Sequence, residues 1–270
     1  MRVALTIAGS DSSGGAGIQA DLKTFQALGV FGMSAVTAVT VQNTQRVYDI
    51  QEMRPEIVTG QIACLFDDIA IHAVKIGMVS SIALIEAIAE ALSAIDPLPP
   101  VILDPVMISK SGYALLQPDA QAALVRHLFP FARVVTPNLP EAEALLGRPI
   151  ANVDAMKAAA REISSLGADM VVVKGGHLGR GSATDVVFDG KKVRLLESPR
   201  KDTANTHGTG CTFSSAIAAH MARGESFIDA VGHAKDYITA AIQYAFPFGK
   251  GCGPVHHFYD LYRRAGMNND

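Results

Sequence analysis

Thr206-His207-Gly208-Thr209-Gly210-Cys211-Thr212 runs directly into Ser214-Ser215-Ala216-Ile217-Ala218-Ala219, and the fold is read outward from this stretch. Two glycines one residue apart, followed by small apolar residues, predict a tight turn that opens a helix. Successive backbone N–H groups can then turn toward one point, and the positive end of the helix dipole adds to them, so Gly208 and Gly210 predict an anion hole. Cys211 falls in the first helical turn, where the dipole is expected to lower its pKa and favour thiolate. A base beside an anion hole suits phosphoryl transfer. The same residues would also form a plain loop with a buried small side chain, so the surrounding chain has to carry the reading.

The 270 residues suffice for a large core, and they are expected to form one domain over 1–270. A hydrophobic content of 49% with 18% charged residues fits a soluble α/β protein whose core is built of Val, Ile, Leu and Ala. The net charge of −3 offers no basic field to nucleic acid or an anionic membrane. Phosphate binding would therefore depend on local geometry. Cys64, Cys211 and Cys252 form no C-x-x-C pair, which disfavours a disulfide framework or a zinc site and fits a reducing cytoplasm. No apolar run reaches membrane-spanning length.

Strands are expected at 3–7, 33–41, 73–78, 101–103, 133–136 and 170–173, with helices between them over 18–28, 57–66, 81–94, 118–128 and 153–166. Val186 to Phe188 and Val193 to Leu195, joined through Asp189-Gly190, read as a hairpin. Helices to about 223 and over 227–245 complete the chain. This alternation predicts a doubly wound, mostly parallel sheet with helices on both faces and a small antiparallel hairpin. Ligands gather at the carboxyl ends of such strands.

Chemistry-bearing residues recur at those ends. Gly9 to Gly17 lacks both the dinucleotide register and the Walker A ending, so its glycines predict close approach of backbone to a small ligand. Asp21 lies one helical turn further and could face the same space. Gln42 ends its strand and can both donate and accept, as reading a heterocycle edge requires. Asp104 would orient Mg²⁺-bound water. Asn138 and Glu141, three apart, form either a capping box or a hard oxygen pair for Mg²⁺. Lys174, beside two glycines, is placed to meet phosphate as a point charge. Lys110-Ser111-Gly112 would fold over the site, whereas His256-His257 are expected to be structural.

In one order the chain displays G-S-D-S-S-G-G-A-G-I-Q-A-D-L-K, Q-N-T, K-I-G-M, D-P-V-M-I-S-K-S-G, T-P-N-L-P-E-A, V-K-G-G-H and T-H-G-T-G-C-T. Together these resemble the hydroxymethylpyrimidine/phosphomethylpyrimidine kinases of thiamine biosynthesis, in the ribokinase-like superfamily. Ser12 departs from the proline common there. The resemblance implies a cytoplasmic ATP- and Mg²⁺-dependent kinase of small-molecule substrates, with no nucleic-acid or membrane partner and a homodimer as a possible assembly. Hydroxymethylpyrimidine would be phosphorylated first and its monophosphate second. Gly9, Asp21, Gln42 and Met78 would form the pyrimidine pocket. Asp104 and Glu141 would hold Mg²⁺, Asn138, Lys174, Thr206 and His207 would meet the nucleotide, and Gly208, Gly210 and Cys211 would supply anion hole and base. Most ribokinase-like sugar kinases have Asp at the position of Cys211. A pyridoxal kinase of the same fold is the alternative, and a catalytically silent sensor of a phosphorylated vitamin precursor the more distant one.

Overall fold

A computed structural model of the chain describes residues 1–109, 112–176 and 183–267. Its strands are Arg2–Ser10 (β1), Val30–Gln42 (β2), Val47–Glu52 (β3), Ala73–Ile76 (β4), Val101–Leu103 (β5), Ala132–Val135 (β6), Met170–Val173 (β7), Ala183–Phe188 (β8) and Val193–Ser198 (β9). They form one sheet in the order β3-β2-β1-β4-β5-β6-β7-β8-β9. The six from β2 to β7 are parallel, while β3 at one edge and β8-β9 at the other run antiparallel.

Strands covered on both faces must be apolar in both directions, and alternate residues separate accordingly. Leu5, Ile7, Val171 and Val173 enter one core cluster, whereas Ala4 and Val172 enter the other. The first layer is completed by helices Pro55–Asp68, Ile82–Ser93, Ala120–Leu128, Leu139–Leu146 and Val153–Ser164, and the second by Gly17–Ala27, Thr209–Ala222 and Phe227–Gln243. Thr209–Ala222 is buried almost all round, with Ala216, Ile217, Ala218 and Ala219 inaccessible to solvent. Small side chains let this helix lie between the sheet and its two neighbours. The turn 206–210 is thereby held at the sheet's carboxyl edge.

β3 was not expected, because Val47-Tyr48-Asp49-Ile50-Gln51-Glu52 reads as a polar connection. An edge strand covered on only one side needs no apolar alternation, and only Val47 in it is buried. Its pairing with β2 supplies what its side chains do not. The winding reverses between β1 and β4, and a crevice opens outside the carboxyl ends of adjacent parallel strands where it does so.

Candidate active site

A cleft of about 960 Å³ lies along that edge. Gly9 lies next to the end of β1, Gln42 ends β2, Met78 lies beyond β4, Asp104 follows β5 and Lys174 follows β7, with Cys211 contributed by the buried helix. Thr206, Gly208, Gly210, Asn138 and Glu141 also line it. Residues spread over most of the sequence thus meet because successive parallel strands deliver their ends to one edge.

Two glycine-bearing loops press together at its centre. Gly208 caps helix Thr209–Ala222 with φ of 77°, a left-handed conformation, and a Cβ there would collide with the carbonyl oxygen of Gly15. Gly210 is in the first turn, where a Cβ would stand 3.3 Å from Lys174 Nζ and 3.5 Å from Asp104 Oδ2. The bare peptide therefore lets the helix start approach the charged floor. N–H groups in a first turn have no intrahelical acceptor, which suits Gly210 and Cys211 to an incoming anion.

The floor is a network of buried charges. Lys174 Nζ donates to Asp104 Oδ1 at 2.9 Å, and Thr136 Oγ1 donates to the same oxygen at 3.2 Å. Burial alone would lower the Lys174 pKa, but Asp104 and Glu141 outweigh it and hold the ammonium charged. Glu141 accepts the Asn138 N–H at 2.8 Å while Asn138 Oδ1 accepts the Glu141 N–H at 2.9 Å, completing a capping box. Burial pushes the Glu141 carboxyl up to about 7, with Lys174 opposing and Asp104 adding to the rise. Two buried carboxyl groups close enough for Asp104 to raise the Glu141 carboxyl are a donor set that fits a hard divalent cation, so Asp104 and Glu141 suit Mg²⁺. Asn138 lines the cleft with its side-chain oxygen already engaged in the cap.

Three expectations change. Asp21 does not read a ring: it is fully buried, and its carboxylate accepts from Lys75 Nζ at 3.0 and 2.9 Å, Thr6 Oγ1 at 2.6 Å and Ser215 Oγ at 2.6 Å. One helical turn past Gly17 its side chain points into the core beneath the cleft, not along its wall. His207 is not free to meet a triphosphate, because Nε2 lies 2.8 Å from Asp11 Oδ2 and 3.3 Å from Gln42 Nε2, on the Gly9 and Gln42 side. Cys211 is not a low-pKa thiol. Burial pushes it up to about 11, with Asp21 and Asp104 adding to the rise and Lys75 opposing it, so loss of water around the sulfur outweighs the helix start.

Asp11 and Lys75 were not anticipated. The Asp11 carboxylate accepts N–H groups of Ser13, Gly15 and Ala16 as well as the Ser13 hydroxyl and His207, so it organises the first loop and ties it to the second. The sole acid among the many backbone donors of residues 9–17 was the available signal. Lys75 interrupts an otherwise apolar strand and pairs with Asp21. The expected flap falls partly on residues 110 and 111, outside the described residues.

Other histidines stand apart. Glu225 pairs with Nδ1 of His220 at 2.8 Å and of His233 at 2.7 Å. Among the described residues Nε2 of His220 is buried without a partner, and the Glu225 carboxylate accepts at Nδ1, where a metal would need a lone pair. His257 Nε2 lies 3.0 Å from Thr212 Oγ1, and burial holds its pKa down to about 3. Among the described residues no helix is long and apolar enough to cross a membrane.

The family described as phosphomethylpyrimidine kinase matches residues 11–256. The chain is 52% identical over 260 residues to the hydroxymethylpyrimidine/phosphomethylpyrimidine kinase of Rhizobium meliloti, covering 95% of this chain and 97% of that one. Among solved structures it resembles the phosphomethylpyrimidine kinase of Clostridium difficile, with 47% identity, a TM-score of 0.80 and coverage of 90% of this chain and 100% of that one. It also resembles an ADP complex of Bacillus subtilis pyridoxal kinase, with 43% identity, a TM-score of 0.88 and coverage of 95% and 97%.

Proposed function

The chain belongs to the phosphomethylpyrimidine kinase family, and on that premise we propose that this phosphotransferase uses ATP to phosphorylate 4-amino-5-hydroxymethyl-2-methylpyrimidine and then its monophosphate. The observation that carries the reading is the convergence of Cys211, the open first turn at Gly210 and the Lys174–Asp104 pair on one cleft.

The ring would lie against Gly9, Gln42 and Met78, with Gln42 offering both a donor and an acceptor to its edge. The nucleotide would enter past Thr206 and Asn138, its phosphates meeting Lys174 and the N–H groups of Gly210 and Cys211. Mg²⁺, held by Asp104 and Glu141, would neutralise phosphate charge when bound. In the first reaction Cys211 Sγ, as thiolate, takes the hydroxymethyl proton. The oxygen then bonds to the γ-phosphorus as the bond to the β–γ bridging oxygen breaks, and ADP leaves with that electron pair. Burial raises the resting thiol to about 11, so the thiolate that acts as base is its minor form. In the second reaction the attacking phosphate oxygen is already ionised, so no base is required.

The similarity to pyridoxal kinases favours one second reading, in which a pyridine carbinol occupies the same wall. ADP release from Mg·ATP with hydroxymethylpyrimidine, its monophosphate, pyridoxal and ribose in parallel tests both. Turnover of the first two supports the proposal. Turnover of pyridoxal alone would replace it while leaving the Cys211 chemistry in place.

A further inference from the structure

Asp21 and Lys75 have no part in the reaction just described, yet they form an ion pair with no solvent exposure on either side chain. Through Thr6 and Ser215 the pair joins β1, helix Gly17–Ala27, β4 and helix Thr209–Ala222. Removing two charges from water is costly, and such a pair often stabilises no better than packed apolar side chains. Stability alone therefore does not account for it.

Its location supplies another role. Ser215 lies four residues beyond Cys211, one turn along the same helix face, so the 2.6 Å bond from Ser215 Oγ holds the Asp21 carboxylate a turn below the thiol. Lys75 Nζ reaches in from β4, and a Cβ added at Gly77 would stand 2.6 Å from it. The glycine of Lys75-Ile76-Gly77-Met78 thus leaves the space that the ammonium occupies. The charges that act on Cys211 are Lys75 from β4, Asp21 from helix Gly17–Ala27 and Asp104 beyond β5, with the Gly17 N–H hydrogen-bonded to the sulfur, and Lys174 beyond β7 feels the thiol in turn. Of the two lysines, Lys75 has no solvent exposure and does not line the cleft, whereas Lys174 does.

We propose that Asp21 and Lys75 are positioning residues for Cys211, a buried charge pair that sets how readily the thiol gives up its proton, Lys75 favouring release and Asp21 restraining it. Its catalytic consequence rests on the reading of Cys211 as base, whereas its effect on the thiol does not.

The test is the iodoacetamide alkylation rate of Cys211 across pH in the full chain, followed by mass spectrometry, with exposed Cys64 as internal control. Lys75→Met is expected to slow Cys211 alkylation about tenfold or more near neutral pH and move its midpoint upward. Asp21→Asn keeps an oxygen for Thr6 and Ser215 and is expected to accelerate alkylation several-fold. The double variant should return toward the parent rate. Single variants that shift the rate in the same direction, or not at all, with Cys64 unchanged, would overturn the proposal. If Lys75→Met does not fold, Asp21→Asn and the double variant decide by the same opposition. Turnover separates the two readings: Lys75→Met should depress kcat for hydroxymethylpyrimidine more than for its monophosphate. Equal losses alongside the alkylation shifts would reject Cys211 as base and retain the charge pair.

Discussion

Cys211 and Asp11 show how one side chain acquires a property from its surroundings. A hydroxymethyl group has a very high pKa, whereas a phosphate monoester already presents an anionic oxygen. Cys211→Ala is therefore expected to slow the first phosphorylation by about 100-fold or more and the second far less, measured as kcat with each purified substrate. Equal losses would remove the base role. Asp11 makes a different prediction. Burial alone would raise its pKa, but hydrogen bonds from His207 and Ser13 outweigh this and hold it at about 2, below the ordinary 3.8. A depressed carboxyl stabilises the folded state above the unfolded pKa and loses that contribution as pH falls through the folded one. Asp11→Asn should thus cost about 2 kcal/mol at neutral pH, with the difference from the parent shrinking between pH 3.8 and about 2. Urea unfolding at stepped pH reads it.

At the scale of elements, the meeting of the two glycine loops and the start of helix Leu139–Leu146 carry the site. Gly208 has a positive φ and lies against the Gly15 carbonyl, so Gly208→Ala meets both backbone strain and a collision. We expect a loss of about 2 kcal/mol or more and turnover reduced for both substrates, since the anion hole serves both. Stability and activity left intact would mean that the loops do not need this approach. Asn138→Ala removes one half of the capping box and should cost about 1 kcal/mol, read as a lower Tm. Its capping box was legible in the spacing of Asn138 and Glu141. The same spacing suggested a metal pair, and only the carboxylates of Asp104, beyond β5, and Glu141, in the first turn of helix Leu139–Leu146, give that second idea a donor set.

For the whole molecule, the carboxyl-terminal segment closes on the organising turn. His207 N donates to Gly253 O at 3.0 Å, and His257 is buried against Thr212 and held neutral. A histidine whose folded pKa lies below its unfolded value of 6.5 stabilises fully above 6.5 and loses this as pH falls toward about 3. The chain should accordingly become less stable below pH 6.5, and His257→Asn should flatten that part of the curve. An unaltered slope would place the proton elsewhere. Sequence by itself determined the alternation of apolar strands and helices, the glycine turn opening a helix, and the polar residues at strand ends, because periodicity and turn chemistry are local. The edge strand β3, the burial of Asp21 against Lys75, the capture of His207 by Asp11 and the raised Cys211 thiol were decided only by tertiary structure. Each depends on which groups from distant parts of the chain share a volume without water, and burial, charge pairing and desolvation have no signature in the spacing of residues along the chain.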